Sequence, residues 1–216
     1  MTDPYYQDDH VTLYHGDCFK LLEHLDFDVI VTDPPYGIAL KTDYAQTHSA
    51  GKWSRRNTHK PVAGDHKPFD PGLFLRYPCA MFGANHYSQH VPSNATWHIW
   101  DKRDGVPSDL QADAEMWFTT WPSGPTRVFR YMWRGFQRPV GAETGHLHPT
   151  QKPLSLMRHI LNDARTPAGV VLDPFAGSGS TLRAAKDLGR QAIGIELEEQ
   201  YCEVIVDRLS QEVLPL

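Results

Sequence analysis

Residues 169–196 constrain the fold more than any other part of the chain, because they read as strand, glycine-rich turn, helix and strand in direct succession. Gly169-Val170-Val171-Leu172 is a short apolar run of the kind buried in a sheet. It leads straight into Asp173-Pro174-Phe175-Ala176-Gly177-Ser178-Gly179-Ser180-Thr181, and then into a helical stretch over 182–188. Glycines in such a turn permit φ > 0 and close backbone approach to a ligand, and the first helical turn offers free N–H groups.

The next strand, 191–195, ends on Glu196. That is about 20 residues after the glycine turn, the spacing at which an acidic side chain meets ribose hydroxyls in nucleoside sites. The turn is neither the dinucleotide fingerprint G-x-G-x-x-G nor a Walker loop, so nothing suggests a pyrophosphate cradle. Its opening acid, Asp173, suits a ligand with a positive amino group, as S-adenosylmethionine carries.

A second strand end carries chemistry of another kind. The apolar run 28–32 is followed by Asp33-Pro34-Pro35-Tyr36, which joins a carboxylate, a rigid carbonyl and an aromatic plane. The prolines fix φ and supply no N–H, leaving the Asp33 and Pro34 carbonyls free to accept from outside the chain. Ligand sites of open α/β sheets lie beyond the carboxyl ends of the strands, where this tetrapeptide falls. Asp-Pro-Pro is also a common turn former, so the downstream glycine motif is what tips the reading toward chemistry.

With both motifs in hand, the chain resembles the amino-group (N6-adenine or N4-cytosine) DNA methyltransferases, whose signatures are a D/N/S-P-P-Y loop and an F-x-G-x-G cofactor loop. The catalytic motif comes first, and His148-Pro149-Thr150-Gln151-Lys152-Pro153 stands ahead of the cofactor motif, which resembles the circularly permuted β group. His15-Gly16-Asp17-Cys18 is similar to the family segment at the cofactor adenine. Matching segments run from His15 to Tyr201, almost the whole chain.

The resemblance implies a single-domain α/β, Rossmann-like fold over 1–216: a circularly permuted, mostly parallel seven-stranded sheet with helices on both faces. It implies S-adenosylmethionine as cofactor, with Asp17 and the Cys18 backbone at the adenine edge. Glu196 would take the ribose hydroxyls and Leu197 the adenine face. Asp173, Thr150 and Lys152 would hold the methionine end, within a loop of Pro174, Phe175, Ala176, Gly177, Ser178 and Gly179. It implies a catalytic set of Asp33, Pro34, Pro35 and Tyr36 acting on a base flipped from double-stranded DNA, since a duplex hides the amine in its stack. Asp at the head of the loop favours adenine over cytosine, because N4 enzymes more often resemble Ser there. Phe175 has a plain alternative in core packing beneath the glycine turn.

Composition bounds the rest. The 216 residues suffice for one well-buried α/β domain, and the net charge of −5 does not announce a nucleic-acid partner. Charge is unevenly spread, however. Residues 37–68 carry six Lys/Arg against two Asp, net +4, and 123–147 carry four Arg against one Glu, net +3. Phosphate contacts dominate DNA affinity, so the loops 37–71 and 123–147 are the expected DNA-facing segments, with Lys52, Arg55, Arg56, Arg130, Arg134 and Arg138 as contacts. The second stretch interleaves its arginines with Phe129, Tyr131, Trp133 and Phe136.

Cys18, Cys79 and Cys202 form no CxxC pair, which fits a reducing cytoplasm and no zinc site. Twelve histidines show no short ligand spacing, and methyl transfer from a sulfonium needs no metal. No run approaches the 18 or so apolar residues of a membrane span. With little chain for target recognition, a second subunit, as in a homodimer, is an open expectation. The same loop chemistry also occurs in RNA-base and protein-glutamine enzymes and in inactive DNA-binding partner subunits. The motif order opposes the glutamine enzymes, and intact Asp33, Tyr36, Gly177 and Gly179 oppose the inactive subunit.

Further strands are expected at 11–15, 79–83, 96–101, 115–121 and 127–133, and helices at 19–25, from Pro153 to about residue 164, and at 200–211.

Overall fold

The computed structural model describes residues 3–40, 61–106, 112–122, 124–133, 138, 139, 142, 148 and 150–211. They form a nine-stranded sheet, whose strands in chain order are β1 (Tyr6–Gln7), β2 (Val11–His15), β3 (Val29–Thr32), β4 (Cys79–Phe82), β5 (Thr96–Asp101), β6 (Ala114–Thr119), β7 (Val128–Arg130), β8 (Val171–Asp173) and β9 (Ala192–Glu196). Their spatial order is β1-β2-β9-β8-β3-β4-β6-β5-β7. The resemblance implies seven strands and the sequence pattern marks eight, which are β2 to β9; the strand not expected is β1, an edge strand of two residues, and β7 at the other edge is cut to three.

Strands β3, β4 and β8 are buried along their whole length, as apolar strands covered on both faces must be. They pair in parallel: β3 with β8 (Val29 opposite Val171) and with β4 (Ile30 opposite Cys79). Strands β2 and β9 continue the parallel sheet on the β8 side, with His15 opposite Glu196. Only β1 and β6 run antiparallel to their neighbours. From the β3/β8 pair the chain therefore works outward in opposite directions, and this reversal opens a crevice at the carboxyl ends of the parallel strands. Because β6 runs the other way, its beginning, Ala114 and Glu115, lies at that same end.

The helices α2 (Leu154–Leu161), α3 (Ser180–Asp187) and α4 (Glu199–Ser210) all cover one face. Leu156, Met157, Ile160, Leu182, Ala185, Ile205 and Leu209 pack there against Val11, Leu13, Val29 and Val31. Each large aliphatic side chain so buried contributes roughly 1.5–3 kcal/mol. The expected helices on both faces are thus unequally divided. The other face is covered by the four-residue α1 (Cys18–Leu21), several 3-10 turns and an aromatic cluster around Phe69, Phe74 and Tyr87.

Two elements are shorter than their sequence pattern suggests. The helix expected at 19–25 is one turn of α-helix, capped by the Asp17 side chain on the Phe19 N–H, and then a 3-10 turn over Leu22–His24. The strand expected at 127–133 makes a ladder only over Val128–Arg130 because its partner β5 stops at Asp101. There the Asp101 carboxylate accepts the Arg103 and Gly105 N–H groups and turns the chain. Residues Tyr131 and Trp133 still donate to the Asp101 and Lys102 carbonyls.

Candidate active site

Every segment singled out for chemistry that the structure describes ends at the crevice. Asp33 follows β3, Asp173 closes β8, Glu196 closes β9 and Asp17 follows β2. A hydrogen bond from the Thr32 hydroxyl to Asp173 Oδ1 (2.7 Å) ties the Asp-Pro-Pro-Tyr corner to the glycine turn. The Ser180 hydroxyl donates to the Lys152 carbonyl at 2.8 Å and ties the segment before α2 to the same turn. Three stretches far apart in sequence are thereby fixed around one opening.

At the Asp33–Tyr36 corner the Tyr36 hydroxyl donates to Asp33 Oδ1 at 2.5 Å, and the Lys152 ammonium donates to Asp33 Oδ2. Burial pushes the Asp33 carboxyl above its ordinary range, against the pull of Lys152. Burial also works against the Lys152 charge, but Asp33 and Glu115 together hold it protonated. Pro34 is buried and Pro35 half-buried. Among the described residues no backbone N–H donates to the Pro34 carbonyl, as its place in a Pro-Pro step leads one to expect.

The Tyr36 ring stacks on His86, centroids 5.1 Å apart and planes 18° from parallel. It also lies directly over Gly83, which has φ +71°, and a Cβ there would come within 2.1 Å of the ring. Only glycine fits both the backbone and the ring. The loop leaving Tyr36 is held by Asp65, whose carboxylate accepts the N–H groups of Gly37 (2.8 Å), Ile38 (3.3 Å) and Leu40 (2.6 Å).

On the glycine-turn side, Gly177 and Gly179 both have positive φ, and Gly179 is the N-cap of α3. Glu196 receives the Gly177 N–H on Oε2 and the Glu198 N–H on Oε1, each at 2.8 Å. Burial nevertheless raises its carboxyl to about 7. Leu197 beside it is 55% exposed, an apolar surface where a flat ligand can lie. His15 Nε2 lies 3.1 Å from the Leu197 carbonyl and the Gly16 N–H donates to the Glu196 carbonyl, so Asp17 and Cys18 stand next to both.

Asp173 is turned inward, accepting the Thr32 hydroxyl and the Phe175 N–H, and burial raises its carboxyl to about 6. Pro174, Ala176 and Ser178 are buried within the turn. Phe175 joins the aromatic cluster of Phe19, Phe69 and Phe74, with centroids 5.4–6.4 Å away. That is the packing alternative foreseen for it.

Thr150 lies against the ring of His148, which faces Gly177. Lys152, expected at the methionine end of a cofactor, instead reaches the Asp33–Tyr36 corner. Two half-buried carboxylates there, Asp33 and Glu115, attract a cation more strongly than the edge of the glycine turn does. Of the expected DNA contacts, Lys52, Arg55, Arg56 and Arg134 lie outside the described residues. Arg130 is exposed, 3.6 Å from Asp101, and the Arg138 guanidinium lies 4.0 Å above the Trp133 ring.

Sequence reasoning missed several residues that shape the opening: Gly83, His86, Asp65, Glu115, Lys102 and Arg208. The buried Arg208 guanidinium donates to the Ser178 carbonyl (2.9 Å) and the Ser180 hydroxyl (3.1 Å), clamping α4 to the glycine turn. Its position one residue before Leu209 on an amphipathic helix was the only available signal. No helix among the described residues is long and apolar enough to cross a membrane.

A family model for DNA methylases of the N6/N4 type matches residues 87–207. The Type II methyltransferase M.ScaI of Streptomyces caespitosus is 27% identical, over 99% of this chain and 86% of its own length. The Type II methyltransferase M2.LlaDCHI of Lactococcus lactis subsp. cremoris is 25% identical, over 98% and 93%. Among solved structures, the M1.HpyAVI–SAM complex superposes with a TM-score of 0.54 at 25% identity, covering 92% of this chain and 100% of that one. The cytosine-N4-specific PvuII DNA methyltransferase superposes with a TM-score of 0.63 over 98% of this chain and 90% of its own, and at 15% identity it shows the shared fold alone.

Proposed function

Because the chain belongs to the N6/N4 DNA methylase family, we propose that it transfers a methyl group from S-adenosylmethionine to the exocyclic N6 amine of an adenine flipped out of double-stranded DNA. The observation that carries this is the joining of the Asp33–Tyr36 corner to the glycine turn by the Thr32–Asp173 hydrogen bond, which makes one crevice of two half-sites. A solved neighbour of 25% identity that is a SAM complex supports the cofactor.

The donor set fits that cofactor. Asp17, Asp173 and Glu196 make the glycine-turn side acidic, which suits a diol and a cationic amino acid end and repels a pyrophosphate. Glu196 would accept the ribose hydroxyls, Leu197 would lie against the adenine, and Asp17 with the Cys18 backbone would meet its edge. Asp173, Thr150 and the backbone of Pro174, Phe175, Ala176, Gly177, Ser178 and Gly179 would line the amino acid end. Bound there, S-adenosylmethionine supplies a methyl carbon on a positively charged sulfur.

At the other half-site, the adenine amine is a poor nucleophile because its lone pair is delocalised into the ring. Accepting its two N–H groups, on the Asp33 carboxylate and the Pro34 carbonyl, localises that pair toward the methyl carbon. Pro35 keeps the carbonyl in place, and Tyr36, backed by His86, stacks on the base and holds it in line. As the N–C bond forms and the C–S bond breaks, the nitrogen becomes acidic and its proton passes to Asp33.

Adenine is favoured over cytosine by Asp33 at the head of the corner. Mass spectrometry of nucleosides from DNA incubated with the protein and the cofactor is expected to show N6-methyladenine. N4-methylcytosine would reassign the base, and product from RNA alone would reassign the substrate.

Arg130 and Arg138, with Lys52, Arg55, Arg56 and Arg134, would contact phosphates. Arg130→Glu is expected to weaken DNA binding regardless of sequence and to flatten the salt dependence by about one unit. An unchanged slope returns Arg130 to a pair with Asp101.

A further inference from the structure

Behind the catalytic corner lies an ion cluster that the reaction scheme above does not use. The Lys152 side chain is 6% exposed and directs its N–H groups to Asp33 and, at 3.2 Å, to the Tyr36 hydroxyl. Glu115 Oε2 is also 3.2 Å from the Lys152 nitrogen, yet it is buried without an aligned hydrogen bond. The other oxygen of Glu115 accepts from Lys102 at 2.7 Å, which fixes the carboxylate in place. Strand register explains the arrangement: Glu115 pairs with Trp100 on β5, one residue before Asp101 and two before Lys102.

Each Asp33 oxygen already accepts one donor, Tyr36 on one and Lys152 on the other. An incoming amine has to share an oxygen with one of them. An ammonium donating to the same carboxylate would also oppose the positive charge that builds on the amine nitrogen during transfer, at the moment when stabilisation matters most. Glu115 Oε2 is an acceptor already within reach of that ammonium.

We propose that Lys152 is a movable counter-ion, which donates to Asp33 until the target base arrives and then turns onto Glu115, making Glu115 a positioning residue for methyl transfer. The proposal rests on the methyl-transfer reading above. Before the base enters, the ammonium balances the charge of a half-buried carboxylate that otherwise has only the neutral Tyr36 hydroxyl beside it. Afterwards it leaves Asp33 with its full negative charge toward the amine. Burial works against the Glu115 carboxylate, yet Lys152 and Lys102 hold its carboxyl down at about 2, so it is charged and ready across the physiological range.

The test is single-turnover methylation of duplex DNA by Glu115→Gln, with pH profile, calorimetric cofactor affinity, DNA affinity and thermal melting measured alongside. Asp33 is faced by Lys152, Tyr36 and Glu115, with Asp173 and Tyr87 also in electrostatic range. Removing the Glu115 charge leaves Lys152 on Asp33. The plateau rate should fall at least about tenfold, the acid limb should move to lower pH, and both affinities should stay within about threefold. Glu115→Asp, which keeps the charge, should recover most of the rate. A rate within about twofold of wild type, or a loss shared by cofactor and DNA binding, overturns the proposal. If the wild type forms no methylated base, the functional reading fails and this proposal with it. A wild type that methylates beside an unaffected variant sinks the counter-ion alone.

Discussion

Asp33→Ala is expected to retain S-adenosylmethionine binding within about threefold while methyl transfer falls by at least about a thousandfold. The magnitude follows from losing both acceptor and proton sink, each of which typically contributes a hundredfold or more. The selectivity follows from geometry, because Asp33 follows β3 and its side chain bonds Tyr36 and Lys152, whereas the glycine turn is held by Thr32, Asp173, Glu196 and Arg208. Asp33→Asn is a sharper control. Its amide keeps the shape but sets an NH2 donor against one of the two donors now facing Asp33, the Tyr36 hydroxyl or the Lys152 ammonium. Isothermal calorimetry for the cofactor, with mass spectrometry of the product nucleoside, reads both halves. A variant methylating within about tenfold of wild type would remove Asp33 from the chemistry.

The second large effect concerns Glu196. Replacing it by Ala removes the acceptor proposed for the ribose hydroxyls and also strands the Gly177 and Glu198 N–H groups it now receives. Hydrogen bonds to a charged group are worth roughly 1.5–3 kcal/mol each, so cofactor affinity is expected to fall by about tenfold to a hundredfold or more. The charge state adds a pH signature. Burial lifts the Glu196 carboxyl to about 7, and only its ionised form accepts two hydroxyls freely. The competent fraction therefore drops as pH falls through 7, and the apparent dissociation constant should weaken by about tenfold from pH 8 to pH 6. Glu196→Gln should flatten that profile. Calorimetry across the range decides it, and a wild-type profile as flat as that of the Gln variant would take Glu196 out of the cofactor site.

Much of the frame was legible because its signals are local. The buried runs before Asp33 and Asp173, the glycines at 177 and 179, and the acid at 196 depend on strand burial and turn sterics that act over a few residues. Strands at 11–15 and 96–101 match the observed β2 and β5 to the residue. Less legible were lengths set by a partner. The 127–133 segment is rich in aromatic residues to its end, as a strand can be, but β5 turns away at Asp101 and ends the ladder. The uneven distribution of helices also escaped the pattern, since a 3-10 turn carrying Phe74 covers a sheet face as effectively as a helix and leaves a weaker period.

Within the site the division has the same cause. Which groups are proposed for chemistry could be read from Asp33, Tyr36, Glu196 and the glycine turn, because each motif carries its own geometry in consecutive residues. What surrounds them could not. Gly83 sits under Tyr36, Asp65 fastens the loop beyond it, and Lys152 joins Asp33 to Glu115 on a strand that runs the opposite way. By itself the sequence determined the strand-end motifs and their order, which backbone sterics and burial impose locally. Only the tertiary structure decided where the Lys152 charge rests, because a buried ammonium goes to whichever carboxylates the sheet register brings within a few ångströms, and that distance depends on strands far apart in the chain.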